Sequence, residues 1–191
     1  MPVFRTVQDA QQGEIRLEAV HQPLYDSAAI TAAGDFTFFQ QPAGRSELLT
    51  NVKTAGQLSW PKRFSVKAIR AVPNFGTVLT DLLALYQNSI FRLQVGEKNY
   101  LTLPLFMLTP GVGLEVQMIQ DNAGTAAAPA TNYANNGRPD HYNIYSLIHP
   151  IYIPPVQNFQ ASIQILSGAT FSSTGLELWL FMEGELLREI Q

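Results

Sequence analysis

Residues 143–190 read as strand, turn, strand, turn, strand, and the middle run alternates apolar and polar positions with a period of two, as a half-buried strand does. The three runs are Asn143–Pro155, Asn158–Leu166 and Leu176–Ile190. In the middle run Phe159, Ala161, Ile163 and Ile165 share one face, and Gln160, Ser162 and Gln164 share the other. The last run is apolar on both faces, with Leu176, Leu178, Leu180 and Met182 on one side and Trp179 and Phe181 on the opposite side. Such a strand requires cover on both faces, from its own sandwich or from another subunit. An antiparallel C-terminal sheet is the element around which the rest must organise.

Upstream, Glu14–Val20 alternates and predicts a first strand, after a polar turn at Gln8–Gly13. Asp35–Gln40 is short and aromatic and reads as a strand, followed by a long polar loop from Arg45 to Lys62. Phe64–Val72 is the next strand. Val78–Gln87 is the one helix, with Leu79, Leu82, Leu83 and Tyr86 at helical spacing, Thr77 or Thr80 as cap and Asp81 at the positive end of the dipole. Ile90–Val95 and Tyr100–Met107 form a hairpin about Gly96–Asn99, with Pro104 marking an edge or bulge. Thr109–Gly113 is a turn, Val116–Ile119 is too short to assign, and Asp121–Asp140 is a breaker-rich loop, functional or mobile. The sum is about eight or nine strands with turns every ~8–12 residues. That predicts an all-β fold, an antiparallel β-sandwich or jelly roll with one short helix. The 191 residues suit one domain or at most two small ones, divided into an N-terminal arm or first strand (1–30) and the sandwich (31–191).

Chemistry is hard to find. No cysteine is present, which excludes disulfides and thiolate chemistry. His21, His141 and His149 lack the spacing of a cupin metal site. His149 reads as a hydrogen-bonded core or rim residue, and Asp140–His141 is a weak acid–base pair. No nucleophile elbow, Walker loop or dinucleotide fingerprint occurs; Thr109–Gly113 lacks the helix that would have to follow. Glu183, Glu185 and Glu189 read as solvent-exposed rather than metal-binding. Trp60, Trp179, Tyr133, Tyr142, Tyr145 and Tyr152 are the residues from which a sugar platform would have to be built, although core or interface is their commoner use. We therefore expect no enzymatic activity, no cofactor and no metal.

With a net charge of −3 and no Lys/Arg run, no direct nucleic-acid binding is expected. No apolar run approaches a membrane span and no secretion signal is expected. Only 14% of residues are charged, so the surface resists association weakly.

A family resemblance is carried by Thr50-Asn51 followed by Gly56-Gln-Leu and Phe64-Ser-Val-Lys-Ala-Ile, then by Asp81-Leu-Leu-Ala-Leu-Tyr-Gln-Asn-Ser and Lys98-Asn-Tyr-Leu-Thr-Leu-Pro-Leu. It closes with Ile151-Tyr-Ile-Pro-Pro-Val-Gln-Asn-Phe and Leu178-Trp-Leu-Phe-Met-Glu-Gly-Glu-Leu-Leu-Arg. Over residues 50–191 the pattern resembles the vertical jelly-roll capsid proteins of icosahedral bacteriophages. The chain is shorter than double-jelly-roll coat proteins, so the resemblance implies a single barrel, a single jelly roll, with capsomers built from several copies or from two related chains. It further implies a structural role in the virion, assembled in the host cytoplasm, with the chain itself and other virion proteins as partners. The expected interface residues are Trp179, Phe181, Phe36 and Phe39. A carbohydrate- or receptor-binding β-sandwich is the alternative, and a cupin-like enzyme stands third.

Overall fold

The computed structural model describes residues 3–9, 12–74, 77–109, 115–119, 131–135, 144–172 and 175–190; for 115–119, 131–135 and Leu79 the side chains lie outside that description. In chain order the elements are β1 (Val3–Asp9), β2 (Gly13–His21), β3 (Leu24–Ile30), β4 (Gly34–Phe38), β5 (Arg63–Pro73), α1 (Leu79–Asn88), β6 (Ser89–Val95) and β7 (Lys98–Pro104). A 3-10 turn (Leu105–Leu108) follows, then β8 (Glu115–Ile119), β9 (Thr131–Asn135), β10 (Tyr145–Ile153), β11 (Phe159–Ile165) and β12 (Leu176–Arg188).

The strands form two antiparallel sheets that enclose one core, an all-β sandwich with one short α-helix. The first sheet has six strands in the order β1-β2-β12-β5-β10, with β3 also on β12. β12 is its axis. β5 runs along one edge of β12 from Leu178 to Leu187, while β3 and β2 share the other edge, pairing with Leu176–Met182 and Glu185–Arg188. The second sheet runs β4-β11-β6-β7. The pairings are nested: β3 with β12, β4 with β11, β5 with β10, and β6 with β7 at the centre. The chain is thus one long antiparallel hairpin rolled so that successive nested pairs fall in alternate sheets. β8 and β9 pair with each other in a separate small ribbon.

Period two builds both walls. Leu178, Leu180 and Met182 of β12 are wholly buried, as are Ala161 and Ile163 of β11 and Phe91 and Leu93 of β6. Each large apolar side chain taken fully out of water contributes about 1.5–3 kcal/mol, against the entropy of ordering the chain. The hairpin between β6 and β7 closes with Gly96 at φ 61°, a conformation that favours glycine. Pro104 ends β7 on the open edge of its sheet, as proline requires.

The N-terminal thirty residues hold three strands rather than one. Gln8 and Asp9 continue β1 instead of forming a turn, and Leu24 and Ile30 of β3 belong to the common core. β3 carries the inward Asp26 between Leu24 and Ala28, so strict alternation of apolar residues fails there and the strand signal was hidden.

α1 covers the core with Leu82, Leu85 and Tyr86, but Leu83 faces outward, 37% exposed. Its N-cap is Val78 and makes no side-chain cap bond; Thr77 Oγ1 donates instead to the Asn74 carbonyl at 2.7 Å. Asp81 is wholly buried and accepts from the Ser172 N–H (2.7 Å) and Oγ–H (2.5 Å). The helix is thereby tied to the segment before β12.

Burial pushes the Tyr86 phenol above its ordinary value. The folded state therefore holds that proton more tightly than the unfolded chain, and the associated stability is full below the unfolded value of about 10 and is lost as pH rises above it. We expect the unfolding free energy to fall by up to about 1.4 kcal/mol per pH unit above roughly pH 10, and Tyr86→Phe to remove that component. Urea titrations of both proteins between pH 8 and 11 check this; identical pH profiles would contradict it.

Candidate interaction surface

The two sheets differ on their outer faces. β11, β6 and β4 present Gln160, Ser162, Gln164, Arg92 and Thr37, with Arg92 Nη2 donating to Gln164 Oε1 at 3.0 Å. That face is polar and wet. The outer face of the six-stranded sheet is divided into an apolar end and a charged end.

The apolar end is a groove of about 560 Å³ walled by Tyr25, Leu48, Val72, Pro73, Trp179 and Phe181. Register places it. Trp179 lies between Ser27 of β3 and Val72 of β5, and Phe181 between Tyr25 and Arg70. The Phe181 ring meets Tyr25 at 5.7 Å between centroids and carries the Arg70 guanidinium at 5.1 Å, a cation–π contact. The loop between β4 and β5 forms the rim and leaves Leu48 76% exposed.

That loop also takes up the polar tips of the aromatics. Trp179 Nε1–H donates to the Leu48 carbonyl at 3.1 Å, and the Tyr25 hydroxyl donates to the Glu47 carbonyl. What remains facing solvent is hydrocarbon. The one carboxylate on the rim, Glu47, sits 2.8 Å from Lys53, which holds its carboxyl below the ordinary range by hydrogen bond and charge. It is ionised near neutrality and poorly suited to general acid work.

The loop is itself fixed from below. Arg45 Nη1 donates to Asp26 Oδ1 at 2.6 Å and Nη2 to the Ser27 carbonyl (2.8 Å) and Oγ (2.7 Å). Asn51 completes the seam, accepting from the Tyr25 N–H at 2.9 Å and donating its own N–H to the Tyr25 carbonyl at 3.2 Å. The free edge of β3 is covered in this way.

At the charged end Glu183 and Glu185 share a face, as their spacing requires, but each is held by cations. Glu183 pairs with Arg70 (2.5 Å) and lies 4.0 Å from His21; Glu185 pairs with Arg5 (3.2 Å) and Lys67 (3.4 Å). The Arg5 hydrogen bond, with help from Lys67, holds the Glu185 carboxyl below its ordinary value against the opposing effect of burial. These carboxylates form a charge ladder and are only partly exposed.

No family model matches the chain, and no curated protein matches it. The site rests on its own residues.

Of the four expected interface residues the structure brings Trp179 and Phe181 together on one surface and separates Phe36 and Phe39 from them. Phe36 points inward and packs against the core, half-buried. Phe39 is 1% exposed and stacks against Phe159 at 5.5 Å, so it offers no surface to a partner. The reason is local. β4 ends at Phe38, and Phe39 adopts φ 69°, which breaks the alternation and sends two consecutive phenylalanines inward.

Among the described residues the other sugar-platform aromatics do not join Trp179. Trp60 and Tyr152 are exposed apart from the groove, Tyr145 packs on the core, and the neighbours of Trp179 are Tyr25, Leu48 and Phe181. Tyr25, Leu48 and Val72 are groove residues that sequence reasoning missed; the pairing of β3 with β12 brings Tyr25 in. His149 is exposed, not in the core, beside the register shift between Ser146 and Ile151. The Asp140–His141 pair, the side chains of Tyr133 and Tyr142, residues 110–113 of the expected turn, and 121–130 and 136–140 of the expected loop lie outside the described residues. Residues 131–135 of that loop form β9. Among the described residues no three metal-ligating side chains come together, and no helix is long and apolar enough to cross a membrane.

Proposed function

We propose that this chain is a structural virion protein, a capsid or capsid-associated subunit without enzymatic activity, that self-assembles through the outer face of its six-stranded sheet. The Trp179–Phe181 groove carries this reading. It is an exposed apolar concavity whose aromatic polar tips are already bonded to the rim, so it suits hydrocarbon from another subunit better than a hydroxyl-rich ligand. The nested strand pairing supports a jelly roll, the fold of the phage coat proteins that the sequence resembles. The weakly charged surface adds to the case.

A sugar-binding module needs polar groups converging beside its aromatic ring. The groove residue with a side-chain amide, Asn74, has its Oδ1 already accepting from the Thr77 hydroxyl at 2.8 Å and the Glu177 N–H at 3.0 Å. This makes glycan binding the lesser reading.

Trp179→Glu places a charge in the groove while leaving the inner face of β12 intact. We expect the native chain to sediment as an oligomer and the variant as a smaller species that has lost the groove contact, with secondary structure by circular dichroism unchanged. A variant that assembles like the native chain would remove the groove from the interface. A monomeric native chain with saturable glycan binding would favour the sugar-binding alternative.

A further inference from the structure

A sheet edge exposes unpaired N–H and C=O groups that template pairing with another chain, and proteins blunt such edges with proline, lysine, bulges, short strands or covering loops. Four edges here are treated in this way. β10 contains Pro150 and a register shift between Ser146 and Ile151. β7 carries Lys98 and Pro104, with an irregularity opposite Leu93 and Gln94. β4 is only 5 residues long, and β3 is covered by Asn51.

β1 has none of these devices. It pairs with β2 through 7 consecutive residues without a shift, from Val3 opposite Ala19 to Asp9 opposite Gly13. It lacks proline and lysine, and among the described strands nothing pairs with its outer edge. Val3 and Phe4 are 52% and 37% exposed along it. The strand is nonetheless held in place, with Arg5 on Glu185 at 3.2 Å and Asp9 on the buried Arg63 at 2.7 Å. Arg63 Nη1 also reaches the Gln8 carbonyl at 3.5 Å, so among the described residues it is a regular, anchored edge left open from Val3 to Val7.

We propose that β1 pairs antiparallel with β1 of a second copy across a twofold axis, joining the two six-stranded sheets into one. The order of charges along the strand suits this partner, with Arg5 and Asp9 each keeping its own-chain counterion as well. With the axis at Val7, Arg5 of one copy stands opposite Asp9 of the other; with the axis at Thr6 the two are diagonal neighbours. An axis at Arg5 would oppose like charges. Seven residues of strand pairing form a smaller contact than a standard stable interface, so the dimer is concentration-dependent unless other surfaces add to it. This contact is separate from the groove, and either can exist without the other.

The absence of cysteine makes the test direct. Thr6→Cys and Val7→Cys each introduce a single thiol, and a residue near the axis faces its own copy within the ~4.4–6.8 Å between Cα atoms that a disulfide needs. Leu48→Cys at the groove rim and Thr102→Cys on β7 serve as comparisons. Under mild oxidation we expect Thr6→Cys or Val7→Cys to shift to twice the monomer mass on a non-reducing gel, reversibly, while Thr102→Cys stays monomeric. Cross-linking of Leu48→Cys without either β1 variant would overturn the edge pairing and leave the groove assembly standing. Cross-linking of none, or of Thr102→Cys equally, would also overturn it.

Discussion

Replacing Asp26 with alanine is expected to lower the unfolding free energy by about 3–5 kcal/mol, the usual cost of breaking a buried ion pair from one side. Asp26 is 2% exposed on the inward face of β3. One carboxylate oxygen accepts from Arg45 at 2.6 Å and the other from the N–H of Phe39. Truncation leaves a guanidinium without its anion and a buried amide without an acceptor, and each carries its own desolvation penalty. It also frees the loop that rims the groove, since Arg45 anchors that loop through Asp26 and Ser27. Urea unfolding of Asp26→Ala, Arg45→Ala and the double variant measures the effect, and the double variant should recover part of the loss because the two residues act together. A change below about 1 kcal/mol for Asp26→Ala would mean that the pair behaves as a solvated surface bridge.

Gly184→Ala is expected to cost about 3 kcal/mol or more, at or beyond the upper end for overpacking. A Cβ on Gly184 would stand 1.9 Å from the Ser65 carbonyl oxygen and 3.1 Å from Phe64 Cζ. The obstacle is backbone, so no side-chain rotation relieves it. Gly184 lies where the β12–β5 register shifts after Glu183, in the pair of strands at the centre of the larger sheet. The substitution must push those strands apart or abolish the shift. The thermal midpoint should fall by roughly 6–12 °C, given about 2–4 °C per kcal/mol for a chain of this size. An unchanged midpoint would show that the two strands do not approach at this register.

Much of the sandwich was legible because two-sided alternation leaves a strong mark. β6, β7, β11 and β12 were readable from inward apolar residues at every second position, β5 from its apolar run, and α1 from the spacing of Leu79, Leu82, Leu83 and Tyr86, of which Leu82 and Tyr86 are buried. β1 and β3 were not. β1 is a largely exposed edge strand and carries no apolar stripe, while β3 places a charged residue on the inward face for the sake of a loop that begins more than ten residues later. Such tertiary pairs have no local signal. Of the surface, the sequence marked Trp179 and Phe181 because a strand apolar on both sides needs cover on both. It could not separate them from Phe36 and Phe39, since the β4–β11 register turns Phe36 inward with Phe38 and one backbone torsion turns Phe39 inward as well. The groove also required the cross-strand neighbours Tyr25 and Val72, which depend on register rather than on composition.

Molar mass by light scattering, over a concentration series in low and high salt, tests most directly whether this chain builds a structure with itself. Contact through an apolar groove predicts discrete oligomers or closed particles that grow with concentration and persist at high salt, where exposed charge pairs are screened. A monomer at every concentration in both salts would contradict self-assembly.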